Sequence, residues 1–159
     1  MKMRSKILAV FFSFFLAGVL YAGGIGVSGS FHAASPLAFG GRLDYAPDTI
    51  PFVFAADINF CDGGTKSALA GVEFTAGNIH LYKALNFFYA PELCAGYDFL
   101  ENKVILENAF YLGLNGFFAP HFQLFTQAGW ALQVLFADYA VSLNLVNFPI
   151  RAGLRFWTK

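Results

Sequence analysis

Hydrophobic and polar residues alternate along the C-terminal segment, residues 147–159. Every second residue belongs to one set of positions, which we call a parity. One parity carries Phe148, Ile150, Ala152, Leu154 and Phe156, and the other carries Asn147, Arg151, Gly153 and Arg155. Successive side chains of a β-strand point to opposite faces, so this period predicts a strand whose two faces meet different surroundings. A soluble sheet would show the same alternation, so the rest of the chain has to identify the fold.

The same alternation recurs in seven earlier segments that are separated by turn residues. They span residues 25–32, 37–45, 52–60, 70–75, 87–99, 104–114 and 122–136. Asn115-Gly116 is predicted to be the turn after the sixth segment, and residues 77–86 show no clear pattern. Eight such segments predict an all-β fold, an up-and-down antiparallel transmembrane β-barrel of about 8 strands. The last strand is predicted to close the barrel against the first.

The N-terminus has the pattern of a secretory signal peptide, residues 1–22. Lys2, Arg4 and Lys6 precede an uncharged run, residues 7–20, which is short for a membrane span, and Ala22 precedes an acceptable cleavage site. The predicted domains are therefore the signal peptide, 1–22, and an outer-membrane β-barrel domain, 23–159. An uncleaved N-terminal anchor helix is the alternative.

The composition favours a chain with an apolar solvent on one surface. It is 57% hydrophobic and 13% charged, whereas soluble domains carry about 25% charged residues. Removing the signal peptide leaves 7 basic and 10 acidic residues, so no basic surface is expected for nucleic acid. A polytopic helical protein is the rival, because residues 109–137 hold no formal charge, but Gly, Asn, Pro and Gln residues interrupt that run.

Three stretches resemble the closing strands of small outer-membrane barrels from spirochaetes. They are residues 112–118 (LGLNGFF), 122–128 (FQLFTQA) and 148–157 (FPIRAGLRFW). Barrels of this kind are similar to the eight-stranded OmpX- or OmpW-like porin-type proteins. The resemblance implies a bacterial outer-membrane location in the cell envelope, with outer-membrane lipid as surroundings. It also implies contact with the barrel-assembly machinery through the C-terminal strand, and no cofactor.

A charged network is predicted inside the barrel if the aromatic parity faces lipid. The opposite parity then brings nine charged residues into the lumen, namely Arg42, Asp44, Asp57, Glu73, Glu92, Asp98, Glu107, Arg151 and Arg155. The arginines belong to the second and eighth strands, and most acids belong to strands three to six. Since eight strands enclose a space that side chains just fill, we expect bidentate arginine–carboxylate pairs.

Three functions follow from these expectations. The first is an integral outer-membrane protein with a structural or surface role and a largely plugged polar lumen. The second is a narrow porin-like channel for small solutes. The third is a periplasmic lipocalin-like binder, in which the aromatic parity would face inward around an apolar ligand. Glycine and serine recur on the polar parity, where a water-facing surface would carry more Lys and Glu, and this favours a membrane barrel.

No catalytic, cofactor-binding or metal-binding residues are predicted, so we do not expect an enzyme. Glu92 and Asp98 could pair for acid–base chemistry, but no nucleophile accompanies them. His32, His80 and His121 share no spacing typical of metal ligands.

The two cysteines, Cys61 and Cys94, are predicted to be free thiols. One strand lies between their predicted strands, which gives a separation of about 10 Å, beyond disulfide reach. A bridge stays open as the alternative if the register differs, because the periplasm is oxidising.

Overall fold

The computed structural model describes residues 23–33, 37–62, 64–137, 140–145 and 147–158. The predicted signal peptide, 1–22, lies outside the described residues and stays a prediction. The strands are β1 (Gly23–Ala33), β2 (Ala38–Pro47), β3 (Phe52–Cys61), β4 (Gly64–Phe74), β5 (Ala76–Tyr82), β6 (Leu85–Asp98), β7 (Lys103–Ala119), β8 (Phe122–Ala137), β9 (Ala140–Asn144) and β10 (Phe148–Thr158). Among the described residues, no helix is long and apolar enough to cross a membrane.

These strands form a closed antiparallel barrel with eight strands around its circumference. The order is β10-β1-β2-β3-β4-β6-β7-β8, and β10 also pairs with β8, which closes the ring. Because β5 follows β4 along β6, the two segments form one interrupted barrel strand. Likewise β9 and β10 both pair with β8 and form the eighth strand. The predicted fold class, an up-and-down barrel of about 8 strands, is confirmed.

The first and last strands close the barrel along their full length. Their register runs from Gly23 opposite Thr158 to Ala33 opposite Phe148, as the C-terminal alternation predicts. Gly23 and Thr158 therefore share one end of the barrel, which we call the terminal end. The opposite end, where β1, β3 and β6 finish, we call the loop end.

The predicted Asn115-Gly116 turn is wrong. Strand β7 continues to Ala119, and the chain reverses at Pro120-His121. Asn115 pairs with Asn86 and Phe125 on the two neighbouring strands, so an uninterrupted ladder overrides the local turn preference. The sequence pair Asn-Gly favours a hairpin only where the alternation stops, and here it continues.

Residues 77–86, which lack a clear pattern, contain β5, a tight turn and the start of β6. Lys83 adopts a positive φ of 49° in this turn, and the β5–β6 register shifts twice. The irregular register explains why a two-residue period cannot be recognised in this stretch.

The large apolar side chains point outward around the circumference. Phe39 is 62% exposed, and the outward side chains Phe60, Phe74, Leu93 and Leu112 are also exposed. The lipocalin-like alternative is wrong, because it requires these aromatic positions to face the interior. The interior is instead lined by the polar parity.

We predict that the pairing of β1 with β10, which closes the barrel, depends on the close approach of the β1 backbone to Gly153. A side-chain carbon there would overlap the backbone of Val27 and Ser28, whereas one at Gly29 on the outward face would meet open space. Gly153→Val should therefore lower the free energy of unfolding by about 1–3 kcal/mol, and Gly29→Val should not. Urea unfolding in detergent micelles measures both. Equal stability of the two variants would contradict this packing.

Candidate functional site

The centre of the lumen is a carboxylate that bridges two arginines. Glu92 Oε2 accepts a hydrogen bond from Arg151 Nη1 at 2.7 Å, and Glu92 Oε1 accepts one from Arg42 Nη1. The three residues are 1–3% exposed. Arg42 and Arg151 lie on β2 and β10, the two neighbours of β1, and Glu92 lies on β6. The bridge therefore crosses the barrel from one wall to the other.

Two more carboxylates complete this central network. Arg42 Nη1 lies 3.5 Å from Asp57 Oδ2, and Arg42 Nη2 lies 3.4 Å from Glu73 Oε2. Arg151 Nη2 lies 4.0 Å from Asp57 Oδ1. Gln127 Nε2 donates to Glu73 Oε2 at 3.1 Å. We name these residues Arg42, Asp57, Glu73, Glu92 and Arg151 the central network.

The predicted bidentate pairing is wrong for the central network. The guanidinium group of Arg42 contacts three different carboxylates, and Glu92 shares its two oxygens between two arginines. Three acids meet two arginines here, so each cation must serve more than one anion. The result is a connected network in place of separate pairs, which increases the coupling among its members.

Arg155 and Asp44 form a second ion pair nearer the terminal end. Arg155 Nε donates to Asp44 Oδ1 at 2.8 Å, and the Arg155 side chain is 12% exposed. The pair reaches across β1 at Gly26, whose register partners are Asp44 and Arg155. A side-chain carbon at Gly26 would overlap the Asp44 carboxylate. The missing side chain of Gly26 therefore makes room for this pair.

Asp98 and Glu107 lie in the lumen but have no arginine partner among the described residues. Asp98 Oδ1 accepts the backbone N–H groups of Leu100 and Glu101, both at 2.9 Å, so it stabilises the turn before β7. Glu107 Oε2 accepts hydrogen bonds from Gln133 at 2.6 Å and from Asn147 at 3.3 Å. Both acids have local partners because they lie toward the loop end, away from the arginines.

Aromatic rings pack against the arginines, a feature that the sequence analysis missed. The guanidinium carbon of Arg151 lies 4.5 Å from the ring centroid of Tyr111, and that of Arg155 lies 5.1 Å from Phe125. Such cation–π contacts are favourable where the cation has lost its water. Tyr111 and Phe125 follow the lumen parity of β7 and β8, so their parity could have identified them.

Apolar side chains fill the lumen on both sides of the central network. Toward the loop end, Leu69, Ile105 and Leu135 lie along one row of paired residues and are buried. Toward the terminal end, Phe88 and Phe125 are buried. A small polar cavity of about 20 Å³ lies beside Glu73 and Arg155, enough for about one water molecule.

One set of metal-ligand atoms is found in the described part of the chain. Asp57, Glu92 and Cys94 place ligand atoms within 4.8 Å of one another. Arg42 and Arg151 occupy this same position and already neutralise the two carboxylates. A metal cation would have to bind beside two guanidinium groups, so the electrostatics oppose it.

Both cysteines are free, as the strand spacing predicts. Cys94 is buried opposite Glu107, and Cys61 lies near the loop end of β3. The histidines are also separate: His32 is buried on β1, His80 contacts Asn86, and His121 contacts the carbonyl oxygen of Trp157.

Comparisons with known proteins support the fold only. No protein-family model and no curated protein matches the chain. A de novo designed transmembrane β-barrel is similar in structure, with a TM-score of 0.51 and 12% identity, over 86% of this chain and 97% of that one. The N-terminal β-barrel domain of Pseudomonas aeruginosa OprF has a TM-score of 0.44 and 12% identity, over 84% and 98%. Neisserial surface protein A has a TM-score of 0.42 and 13% identity, over 86% and 96%.

The designed barrel shares the class of fold with this chain, the small closed antiparallel barrel. At 12% identity, the likeness to the designed barrel concerns architecture and carries no function. The more specific resemblance to spirochaetal OmpX- or OmpW-like barrels stays a prediction.

We predict that removing Arg151 destabilises the barrel strongly. Arg151→Ala leaves Asp57 and Glu92 with one arginine between them in a buried site, which should cost about 3–5 kcal/mol. Lys103→Ala is the control, because Lys103 pairs with Glu101 at the surface, where their side chains are 26% and 52% exposed. Its cost should stay below about 1 kcal/mol. Urea unfolding measures both, and an Arg151→Ala variant as stable as the parent would contradict a dry, paired network.

Proposed function

We propose that this chain is an integral outer-membrane β-barrel protein with a structural or surface role, and that its lumen does not conduct. The observation that carries the proposal is the bridge from Arg42 through Glu92 to Arg151 across the centre of the barrel. We propose no catalytic role for the buried carboxylates. Assembly would proceed through the C-terminal strand β10 and the barrel-assembly machinery.

The outward surface supports a membrane location. Every barrel strand exposes large apolar side chains, including Val27, Phe39, Phe60, Val72, Leu93, Leu112, Leu124 and Ile150. Soluble proteins rarely expose contiguous apolar patches of more than a few hundred Å². A barrel is also one of the two structures that satisfy all backbone hydrogen bonds within lipid. The predicted signal peptide agrees with export to the outer membrane.

The packing of the lumen supports a blocked interior. The members of the central network are at most 4% exposed, and apolar side chains lie above and below them. In an eight-stranded barrel the side chains are expected to fill the interior. A solute would therefore have to break several ion pairs in a low-dielectric space in order to pass.

A narrow conduit for small cations is the second candidate. It is favoured by the excess of carboxylates over arginines in the lumen and by the polar cavity beside Glu73, Asn115, Gln127 and Arg155. In that case water would separate the charges, and the ion pairs would open and close during conduction.

Planar-bilayer recording of the purified protein distinguishes the two candidates. We expect no steady conductance from the parent protein, because the bridge from Arg42 through Glu92 to Arg151 spans the narrow lumen. A folded sample would be recognised by heat-modifiable migration on unboiled gels. A steady, cation-preferring open channel would favour the conduit. A monomer that is soluble without detergent would instead overturn the membrane location.

A further inference from the structure

One amide interrupts the apolar outward face. Asn108 is exposed on the outward parity of β7. Its register partners on the neighbouring strands are Leu93 and Leu132, and the next outward positions along β7 are Leu106 and Phe110. The amide is therefore surrounded by apolar side chains on the surface that the proposed function assigns to lipid.

Thr126 is another polar side chain on the outward parity, on the neighbouring strand β8. Its hydroxyl donates to the backbone carbonyl of Arg151 at 3.1 Å, so Thr126 is satisfied within its own chain. Asn108 has no hydrogen-bond partner in the described part of the chain. It therefore presents two donors and one acceptor to its surroundings.

The position of Asn108 along β7 keeps the amide away from water and from lipid headgroups. Outward Val104 lies four residues toward the loop end, and outward Phe118 lies ten residues toward the terminal end, and both are exposed. At about 3.3 Å per residue these distances are roughly 13 Å and 33 Å along the strand. The short side chain of asparagine cannot span them, and acyl chains offer no hydrogen-bond partner.

We propose that Asn108 marks the contact surface of a homodimer, in which the partner's amide satisfies it. A carboxamide is self-complementary, because each group can donate to and accept from an identical one. A two-fold axis beside β7 would place the two Asn108 side chains opposite each other, as an isologous interface requires. The outward neighbours Leu93, Leu106 and Phe110 are exposed and apolar, so they can pack against the same residues of the partner around the amide pair.

A second copy fits this surface better than other occupants. The outward faces of β6, β7 and β8 carry no charged residue in the described segments, so a partner selected by charge has nothing to recognise. An identical barrel supplies both the matching apolar wall and the matching amide at the same depth. The inference rests on the proposed membrane location, because in water the amide would already be solvated.

Sedimentation equilibrium of the full barrel in density-matched detergent micelles tests the proposal. Three proteins are compared, namely the parent, Asn108→Leu and Thr126→Val. Leucine is the residue type at the neighbouring outward positions, so Asn108→Leu should fold, which the heat-modifiable gel band verifies. We expect a dimerising parent, an Asn108→Leu variant with an association constant at least about tenfold weaker, and a Thr126→Val variant that dimerises like the parent.

Each other result overturns the proposal. A parent that is monomeric at every protein-to-detergent ratio would show that Asn108 simply faces the apolar phase. An Asn108→Leu variant that dimerises as tightly as the parent would show that the amide does not hold the interface. If Asn108→Leu and Thr126→Val weakened the association constant equally, the outward face as a whole, and not the amide of Asn108, would determine association. If the membrane location itself were wrong, the parent would stay in solution without detergent, which is a separate observation.

Discussion

Charges inside a narrow, closed barrel must find partners there, and this constraint organises the molecule. Glu92, which lies on β6, can be buried as a carboxylate because Arg42 and Arg151 reach it from the opposite wall. Taking these groups out of water is costly, and only the paired arrangement offsets that cost. Because side chains alternate between the two faces, a one-residue slip of β2 or β10 would turn its arginine outward. The central network therefore fixes register as well as occupying the lumen.

The two faces of the barrel wall differ in composition, as expected if they meet different solvents. The outward parity carries mainly Phe, Leu, Ile and Val, and the interior carries charged, amide and small side chains together with a few large apolar ones such as Phe88 and Ile105. Gly26 shows why small residues recur on the inner parity, since its missing side chain makes space for Arg155 and Asp44. Asn108 departs from the outward pattern, and this amide is the basis of the homodimer that we propose.

Parity predicts which residues face the lumen but not which of them meet. The period of two placed Arg42, Asp57, Glu92 and Arg151 on one face, and the structure brings them together. Partners depend on the stagger between strands, which no local pattern encodes. For this reason the sequence alone does not predict that Glu92 is shared by two arginines, or that Glu107 accepts hydrogen bonds from the amides of Gln133 and Asn147.

Local turn preferences were the weaker guide. The Asn115-Gly116 pair lies inside β7 because both neighbouring strands continue the ladder past it. Residues 77–86 could not be interpreted because the β5–β6 register shifts there. Where regular pairing and turn chemistry disagree, the long-range ladder decides, since it satisfies more backbone groups.

A double-mutant cycle on Arg151 and Glu92 tests the central claim most directly. The free energy of unfolding is measured in micelles for Arg151→Ala, Glu92→Ala and the double variant. If the lumen is dry and paired, the double variant should lose less stability than the sum of the single losses by about 1–3 kcal/mol. In the double variant, Arg42 still has Asp57 and Glu73 as ion-pair partners. Losses that add to within about 0.5 kcal/mol would contradict the account and indicate a hydrated lumen in which these charges act independently.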